Sequence, residues 1–273
     1  MGHDKLRKFA ENETFACLLQ PSAAELLADG YFHLRDHAVK GHWGERFNNS
    51  NPIVLELGCG KGEYTVALAE RDPERNYIGV DIKGARLWKG AKYATEHRLP
   101  NVAFLRTRVE FITAFFAPGE VSEIWLTFSD PQYRSENSRL CSPLFLERYR
   151  SLLRPGGIVH LKTDSRFLHE YACAVCAANG LQVLARTTDL YGQQNADIQP
   201  VVSEVKTFYE QLFLEQGYPI TYLSFVIDHE GAYVSPRDPE EFDAKAWRAA
   251  EGPRLLFGHD SAETRRQKLH AAE

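Results

Sequence analysis

The chain has little that would fix it in a membrane or send it out of the cell. None of its 273 residues fall in a run of about 18 apolar positions, the length a spanning helix needs. The opening Met1-Gly2-His3-Asp4-Lys5 has no apolar core of the signal-peptide kind. Neither a membrane span nor an export signal is expected, and the expected location is cytoplasmic. Cysteine is sparse: five, an odd number, fit reduced thiols rather than a disulfide framework. Cys173 and Cys176 form Cys-x-x-Cys with His169 one turn earlier, but no second pair supplies the ligands that would close a zinc site. Their Ala-rich surroundings favour packing over metal or redox chemistry, and no metal is expected. A basic excess is also missing. The 32 Lys and Arg against 37 Asp and Glu leave a net charge of −5, which counts against a nucleic-acid partner because phosphate binding is driven by Lys and Arg. From Asp228 onward stand 10 acidic and 7 basic residues, so the tail carries much of the imbalance and the remainder has room for a local basic patch. No internal repeat is visible.

What is there is an α/β pattern organised around Pro52-Ile53-Val54-Leu55-Glu56-Leu57-Gly58-Cys59-Gly60-Lys61-Gly62. An apolar, partly β-branched run behind a proline reads as a buried parallel strand, and the alternate glycines read as a tight turn opening a helix. Gly58, Gly60 and Gly62 allow positive φ and close approach of a ligand to the backbone at the strand's carboxyl end. A dinucleotide loop would read Gly-x-Gly-x-x-Gly. The tighter spacing here, with Glu56 two residues ahead, resembles the first motif of class I S-adenosyl-L-methionine-dependent methyltransferases, which implies a cofactor without a phosphate to cradle; a glycine-rich turn with no ligand is the plainer alternative. A second run, Asn76-Tyr77-Ile78-Gly79-Val80-Asp81, ends in a carboxylate 21 residues after Gly60. That span of helix plus strand puts Asp81 at the neighbouring strand's tip, where it can accept ribose hydroxyls; alone it could equally cap the next helix.

The first 50 residues mix Lys5, Arg7, Lys8 and Arg35 with Phe9, Phe15, Tyr31, Phe32 and Trp43 and show no sustained period. They read as an N-terminal extension (1–50) packed on the core, its first dozen residues mobile. Beyond Asp81 an amphipathic helix over 85–97, a strand over 102–105, a short helix over 109–116 and a strand over 123–128 follow in turn. The last runs into Ser129-Asp130-Pro131. In an open parallel sheet the ligand crevice lies outside the carboxyl ends of the strands, so Asp130 is expected in one cleft with Gly60 and Asp81, or else it is a plain turn aspartate. Arg154-Pro155-Gly156-Gly157 reads as a turn into a strand over 158–163, ending at Asp164. A helix over 166–178, a strand over 183–186, a helix near Thr207 and a final strand over 220–227 complete the pattern. The expected fold is Rossmann-like and doubly wound, with a seven-stranded, mostly parallel sheet whose last strand is antiparallel. The catalytic domain is expected over 51–227 and a polar tail over 228–273, in which Pro236, Pro239 and Pro253 interrupt and Trp247 and Phe257 dock.

Taken together, Glu56 in the glycine motif, Asp81, Phe128-Ser129-Asp130-Pro131, Thr163-Asp164 and Thr207-x-x-Glu210 resemble the tRNA (guanine-N7)-methyltransferase family of class I S-adenosyl-L-methionine-dependent enzymes. The resemblance runs from about Asn51 to Phe225. It implies methylation of the variable-loop guanine at tRNA position 46, with tRNA as partner and S-adenosyl-L-methionine as cofactor. It further implies that Glu56, Gly58, Gly60, Gly62, Asp81 and Thr107 hold the cofactor and that Asp130 is the catalytic carboxylate, also facing the cofactor. Arg134, Asp164 and Thr207, Phe208, Tyr209 and Glu210 would face the tRNA guanine. Ser129 stands where the family usually has proline, Thr107 where an acidic or amide residue is usual, Gln132 for an aromatic and Ser138 for a basic residue.

Guanine N7 carries a free lone pair, so methyl transfer from a sulfonium needs no base; orientation is the main task. The product ring is cationic, and a carboxylate beside it stabilises the developing charge. Asp130, Asp164 and Glu210 are the expected acceptors for the base, and Arg134 and Arg139 are expected to meet phosphate. Two other readings stay open: a class I methyltransferase for a small molecule or protein, which the acidic balance suits, and a non-catalytic subunit that keeps the fold. Monomer and homodimer are both open.

Overall fold

The computed structural model describes residues 3–251, apart from 31–32, 194, 229 and 237–241. Tyr31, Phe32, Pro239, Pro253 and Phe257, named above, lie outside the described residues. In chain order the elements begin with α1 (His3–Asn12), β1 (Leu18–Leu19), α2 (Ala23–Leu26), α3 (Trp43–Phe47), β2 (Ile53–Leu57) and α4 (Glu63–Arg71). There follow β3 (Asn76–Asp81), α5 (Gly84–Glu96), β4 (Val102–Arg106), a 3₁₀ turn (Val109–Ala114), β5 (Val121–Thr127) and α6 (Pro143–Arg150). The remainder are β6 (Leu153–Thr163), α7 (Arg166–Ala178), β7 (Val183–Thr187), α8 (Pro200–Glu204), α9 (Phe208–Glu215), β8 (Thr221–Val226) and α10 (Ala244–Glu251). Among the described residues no helix is long and apolar enough to cross a membrane.

The strands form one sheet in the order β1-β4-β3-β2-β5-β6-β8-β7, parallel except for β8, which is antiparallel to both of its neighbours. The sheet has eight strands among the described residues, not seven. The added one is β1 at the edge, where Leu18 and Leu19 pair with Phe104 and Leu105. Strand order reverses between β2 and β5, and a crevice opens at such a switch point, outside the carboxyl ends of the strands.

All five side chains of β2 are buried because the sheet is covered on both faces. Leu55, Ile78, Leu105, Leu126 and Leu161 point to one face, packed with α3, α6 and α7; Val54, Tyr77, Phe104, Trp125 and Tyr222 point to the other, packed with α4, α5 and α9. On the second face Phe104 fits a socket made by missing side chains. A Cβ on Gly79 would lie 2.8 Å from its Cδ1, and one on Gly62 or Gly90 would lie 2.7 or 2.6 Å from its Cζ. This close approach seats α4 and α5 against β3 and β4.

Three expectations change. Residues 3–12, within the stretch expected to be mobile, form α1, which packs on α5, with Trp88 Nε1 donating to Glu11 at 2.6 Å and Asn12 Nδ2 to the Gly84 carbonyl at 2.9 Å. Burying the ring of Phe9 against the Arg106 guanidinium, 5.2 Å away, adds to that seat. Residues 109–116 give a 3₁₀ turn rather than an α-helix. The Arg154–Gly157 stretch belongs to β6: Leu153 pairs with Val121, the register then shifts, and Ile158 pairs with Glu123, so the proline and glycines occupy an irregularity within the strand.

Candidate active site

Gly58, Gly60 and Gly62 have φ of 79°, 58° and 69°, so each turns through the left-handed region that a side chain resists. The loop they form is tied to β3. The N–H groups of Gly58 and Cys59 donate to the Val80 carbonyl at 2.8 and 3.0 Å, and the Gly60 N–H donates to Asp81 Oδ2 at 3.0 Å. The other Asp81 oxygen, Oδ1, accepts from the Lys83 N–H at 2.7 Å. The carboxylate thus turns the chain toward α5 without capping it, the N-cap being Lys83, and it pins the glycine loop. A carboxylate has about four acceptor sites, so lone pairs remain on Asp81 for two hydroxyls.

Glu56 lies at the switch point itself, 4 % exposed. Its Oε2 accepts from the Thr65 N–H at 2.8 Å and from the Thr65 hydroxyl on α4, and its Oε1 accepts from the Thr127 hydroxyl on β5 at 2.5 Å. Burial pushes this carboxyl up to about 7, against the opposing pull of those hydrogen bonds. The residue therefore joins β2, α4 and β5 beneath the crevice. Above it is a small cleft of about 100 Å³ that opens to solvent. Its lining runs through Glu56, Gly58, Cys59, Gly60, Lys61, Glu63, Arg86, Thr127, Phe128, Thr207 and Tyr209. Thr107 is buried at the carboxyl end of β4, outside that lining.

Beyond β5 the chain is bent unusually. Phe128 and Gln132 both have positive φ, 50° and 47°, although neither is glycine. Such residues cost energy that the surroundings must hold in place, and they concentrate at functional turns. Between them Asp130 is exposed, its Oδ1 accepting from the Gln132 N–H at 2.9 Å, and Arg134 is exposed further along the loop. Phe128 is held from below by its N–H bond to the Lys162 carbonyl at 2.9 Å and by stacking on Phe213 at 6.2 Å. Asp164 is half-buried at the tip of β6, immediately before the α7 N-cap Ser165.

Thr207 and Glu210 form a capping box at the start of α9. The Thr207 hydroxyl accepts from the Glu210 N–H at 3.2 Å, and Glu210 Oε2 accepts from the Thr207 N–H at 3.3 Å. Glu210 is fully buried, and its carboxylate is met by Lys162 Nζ at 2.7 Å and the Tyr191 hydroxyl at 2.6 Å. The expectation that it faces a base therefore meets a carboxylate directed inward. Tyr209 lines the cleft, and Phe208 lies beside two of its lining residues. The Phe208 N–H donates to Glu63 Oε2 at 3.0 Å, and Lys61 of the glycine loop lies 5.1 and 5.5 Å from the rings of Phe208 and Tyr209.

Arg139 departs furthest from its expected place. It is 5 % exposed, stacked over Tyr171 and Phe167 at 4.3 and 4.7 Å, so it is not placed to meet phosphate. Lys162 was not singled out from sequence. It is fully buried, donating to the Val202 and Val205 carbonyls at 2.6 and 2.9 Å as well as to Glu210. A lysine inside a strand that otherwise alternates into a buried sheet, Ile158-Val159-His160-Leu161-Lys162-Thr163, was the available signal, since buried lysines are almost always paired.

Residues 50–223 match a family model described as "Putative methyltransferase". A protein of Christiangramia forsetii named "tRNA (guanine-N(7)-)-methyltransferase" is 50% identical over 227 residues, covering 82% of this chain and 98% of that one. One of the same name from Bacteroides fragilis is 46% identical over 245 residues, covering 89% and 94%. The chain belongs to the tRNA (guanine-N7)-methyltransferase family. Among solved structures, the 16S rRNA methyltransferase KamB is similar with a TM-score of 0.51 at 17% identity, over 67% of this chain and 92% of that one, a likeness of fold. For a member of this methyltransferase family the cleft fits a nucleoside cofactor: left-handed glycines bring the backbone close, Asp81 keeps acceptor capacity, and Glu56 supplies a buried carboxyl at the switch point. Of the residues assigned from sequence, the structure gathers Glu56, Gly58, Gly60, Thr207 and Tyr209 around one cleft, with Asp81 tied to its loop.

Proposed function

We propose that this protein transfers a methyl group from S-adenosyl-L-methionine to N7 of guanine in tRNA, at position 46 of the variable loop, in the cytoplasm. The observation that carries the reading is one cleft lined both by the Asp81-pinned glycine loop and by Phe128, which opens the left-handed turn that holds Asp130. The catalytic domain is taken as 51–227, with 1–50 and 228–273 as extensions.

Bound cofactor would supply a methyl group activated on a sulfonium. Asp81 would accept the ribose hydroxyls, and Gly58, Gly60 and Gly62 would admit the ligand against the backbone. The residues of the chain then have to hold N7 in line with the methyl carbon, because the nucleophile needs no deprotonation. Asp130, exposed at the rim, is the carboxylate set against the cationic ring as it forms. Asp164, half-buried at the tip of β6, would accept from the base's N–H edge. Glu210 acts through the capping box, fixing Phe208 and Tyr209 at the cleft rather than touching the base. Arg134, exposed on the same loop as Asp130, is the phosphate contact.

The test is methylation of unmodified tRNA by the purified protein, followed by digestion to nucleosides and mass analysis, with the position mapped by chain cleavage at the modified base. N7-methylguanosine at position 46 is expected. Methyl groups on another atom, or turnover of small acceptors with tRNA left unmodified, would sink the reading.

A further inference from the structure

Helix α10 brings the C-terminal extension back to the rim of the candidate site. The Trp247 ring lies 5.8 Å from that of Phe167, and Phe242 meets Tyr171 edge-on at 5.4 Å, which seats the extension on α7. Glu251 then reaches the first turn of α7. Its Oε1 accepts from the Phe167 N–H at 2.6 Å and from the Ser165 hydroxyl at 3.1 Å, while its Oε2 accepts from the Tyr133 hydroxyl. First-turn N–H groups have no acceptor within their own helix, and the dipole favours a negative charge there, so the carboxylate is well placed.

Two segments of the proposed active site are joined by this one carboxylate. Ser165 follows Asp164 directly, and Tyr133 lies three residues beyond Asp130. The Tyr133 ring also stacks on Phe167 at 4.8 Å, and Arg139 grips the same loop from its other side, donating to the carbonyls of Gln132 and Tyr133 at 3.3 and 3.1 Å. Because Asp130 bonds the Gln132 N–H, contacts run without a gap from Glu251 through Tyr133 and Gln132 to Asp130. A turn with two left-handed residues needs such external restraint to keep one geometry.

We propose that Glu251 is a positioning residue for methyl transfer: by clamping Tyr133 to the start of α7 it sets the placement of Asp130 and Asp164 about the acceptor base. This rests on the proposed function and adds a role for the C-terminal extension. Steady-state methylation of tRNA by the full chain tests it, together with S-adenosylhomocysteine calorimetry and thermal unfolding. Glu251→Ala is expected to lower kcat about tenfold or more, since small misplacements of reacting groups are costly. S-adenosylhomocysteine affinity should stay within about twofold, as for a distant site. Tyr133→Phe, which removes one hydroxyl and keeps the stacked ring, should lower kcat in the same direction. The double variant should be no slower than Glu251→Ala alone, the mark of one shared contact. Should Glu251→Ala fail to fold, Tyr133→Phe carries the test. Unchanged kcat with a lowered unfolding temperature would reduce the contact to a structural one and overturn the proposal. Tighter tRNA binding by Glu251→Ala would also overturn it, by making the carboxylate a competitor of phosphate. A wild-type chain that leaves tRNA unmethylated would overturn the proposed function itself.

Discussion

On the β2–β3 side of the cleft the main chain does the holding. Three left-handed glycines, two N–H groups on the Val80 carbonyl and one on Asp81 shape a loop whose parts lie within 24 residues, from Gly58 to Asp81. On the β5–β6 side the holding is done by long side chains: Arg139 on the carbonyls of its own loop and, from remote positions, Lys162 on Glu210 and Glu251 on Tyr133. The first construction leaves little latitude, because any Cβ at Gly62 meets Phe104. The second is assembled from separate contacts, each of which can be removed alone. On the proposed reading the first, rigid wall receives the small cofactor and the second, assembled from separable contacts, receives the RNA.

The largest effect expected from breaking the second wall is at Lys162. Lys162→Met leaves the Glu210 carboxylate and two carbonyls buried without their cation, at a cost of about 3–5 kcal/mol. Urea unfolding measures it, and Lys162→Met with Glu210→Leu should recover most of the loss; a stable single variant would show that the pair contributes nothing to that wall. Next comes Asp130→Asn. The amide oxygen can still accept from the Gln132 N–H, so the turn persists while the charge goes, and single-turnover methylation should slow by about 10²-fold or more. A wild-type rate would make Asp130 a turn residue. For the first wall, Asp81→Ala removes the acceptor of the Gly60 N–H and of the proposed ribose bonds. S-adenosylhomocysteine calorimetry should register a loss of about 1–3 kcal/mol, and unchanged affinity would separate the loop from cofactor binding. The smallest effect sharpens the comparison within one loop. Arg134→Ala should reduce the salt slope of tRNA binding by about one, whereas buried Arg139→Ala should leave the slope unchanged and lower stability instead.

The same division explains what could be read from the sequence. Strand, glycine turn and Asp81 are a local pattern with a physical reason at each position, and the helix of α7 follows from its period. Strand β1 has two residues, too few for any alternation to register, and its pairing with β4 depends on 84 intervening residues folding first. Arg139 and Arg134 are alike in sequence; only Phe167 and Tyr171, a full element later, decide that one is buried. Thr207-x-x-Glu210 was legible as a motif but not in sense, since the buried partner that turns Glu210 inward stands at Lys162 on another strand. Glu251 offered no signal, because an acidic residue in a polar tail has no periodicity that points to a helix end 84 residues earlier.

The two walls nonetheless touch. Lys61, from the glycine loop, lies against Phe208 and Tyr209, and Glu63 accepts the Phe208 N–H. In thermodynamic terms, if the cofactor and the RNA take the two walls as proposed, they share these groups, and their occupancies would be linked. Linkage is reciprocal: the factor by which S-adenosylhomocysteine changes the affinity for tRNA is the factor by which tRNA changes the affinity for S-adenosylhomocysteine. On the proposed reading, the four residues Lys61, Glu63, Phe208 and Tyr209 are where such a factor would be carried, the ring of an exposed phenylalanine among them.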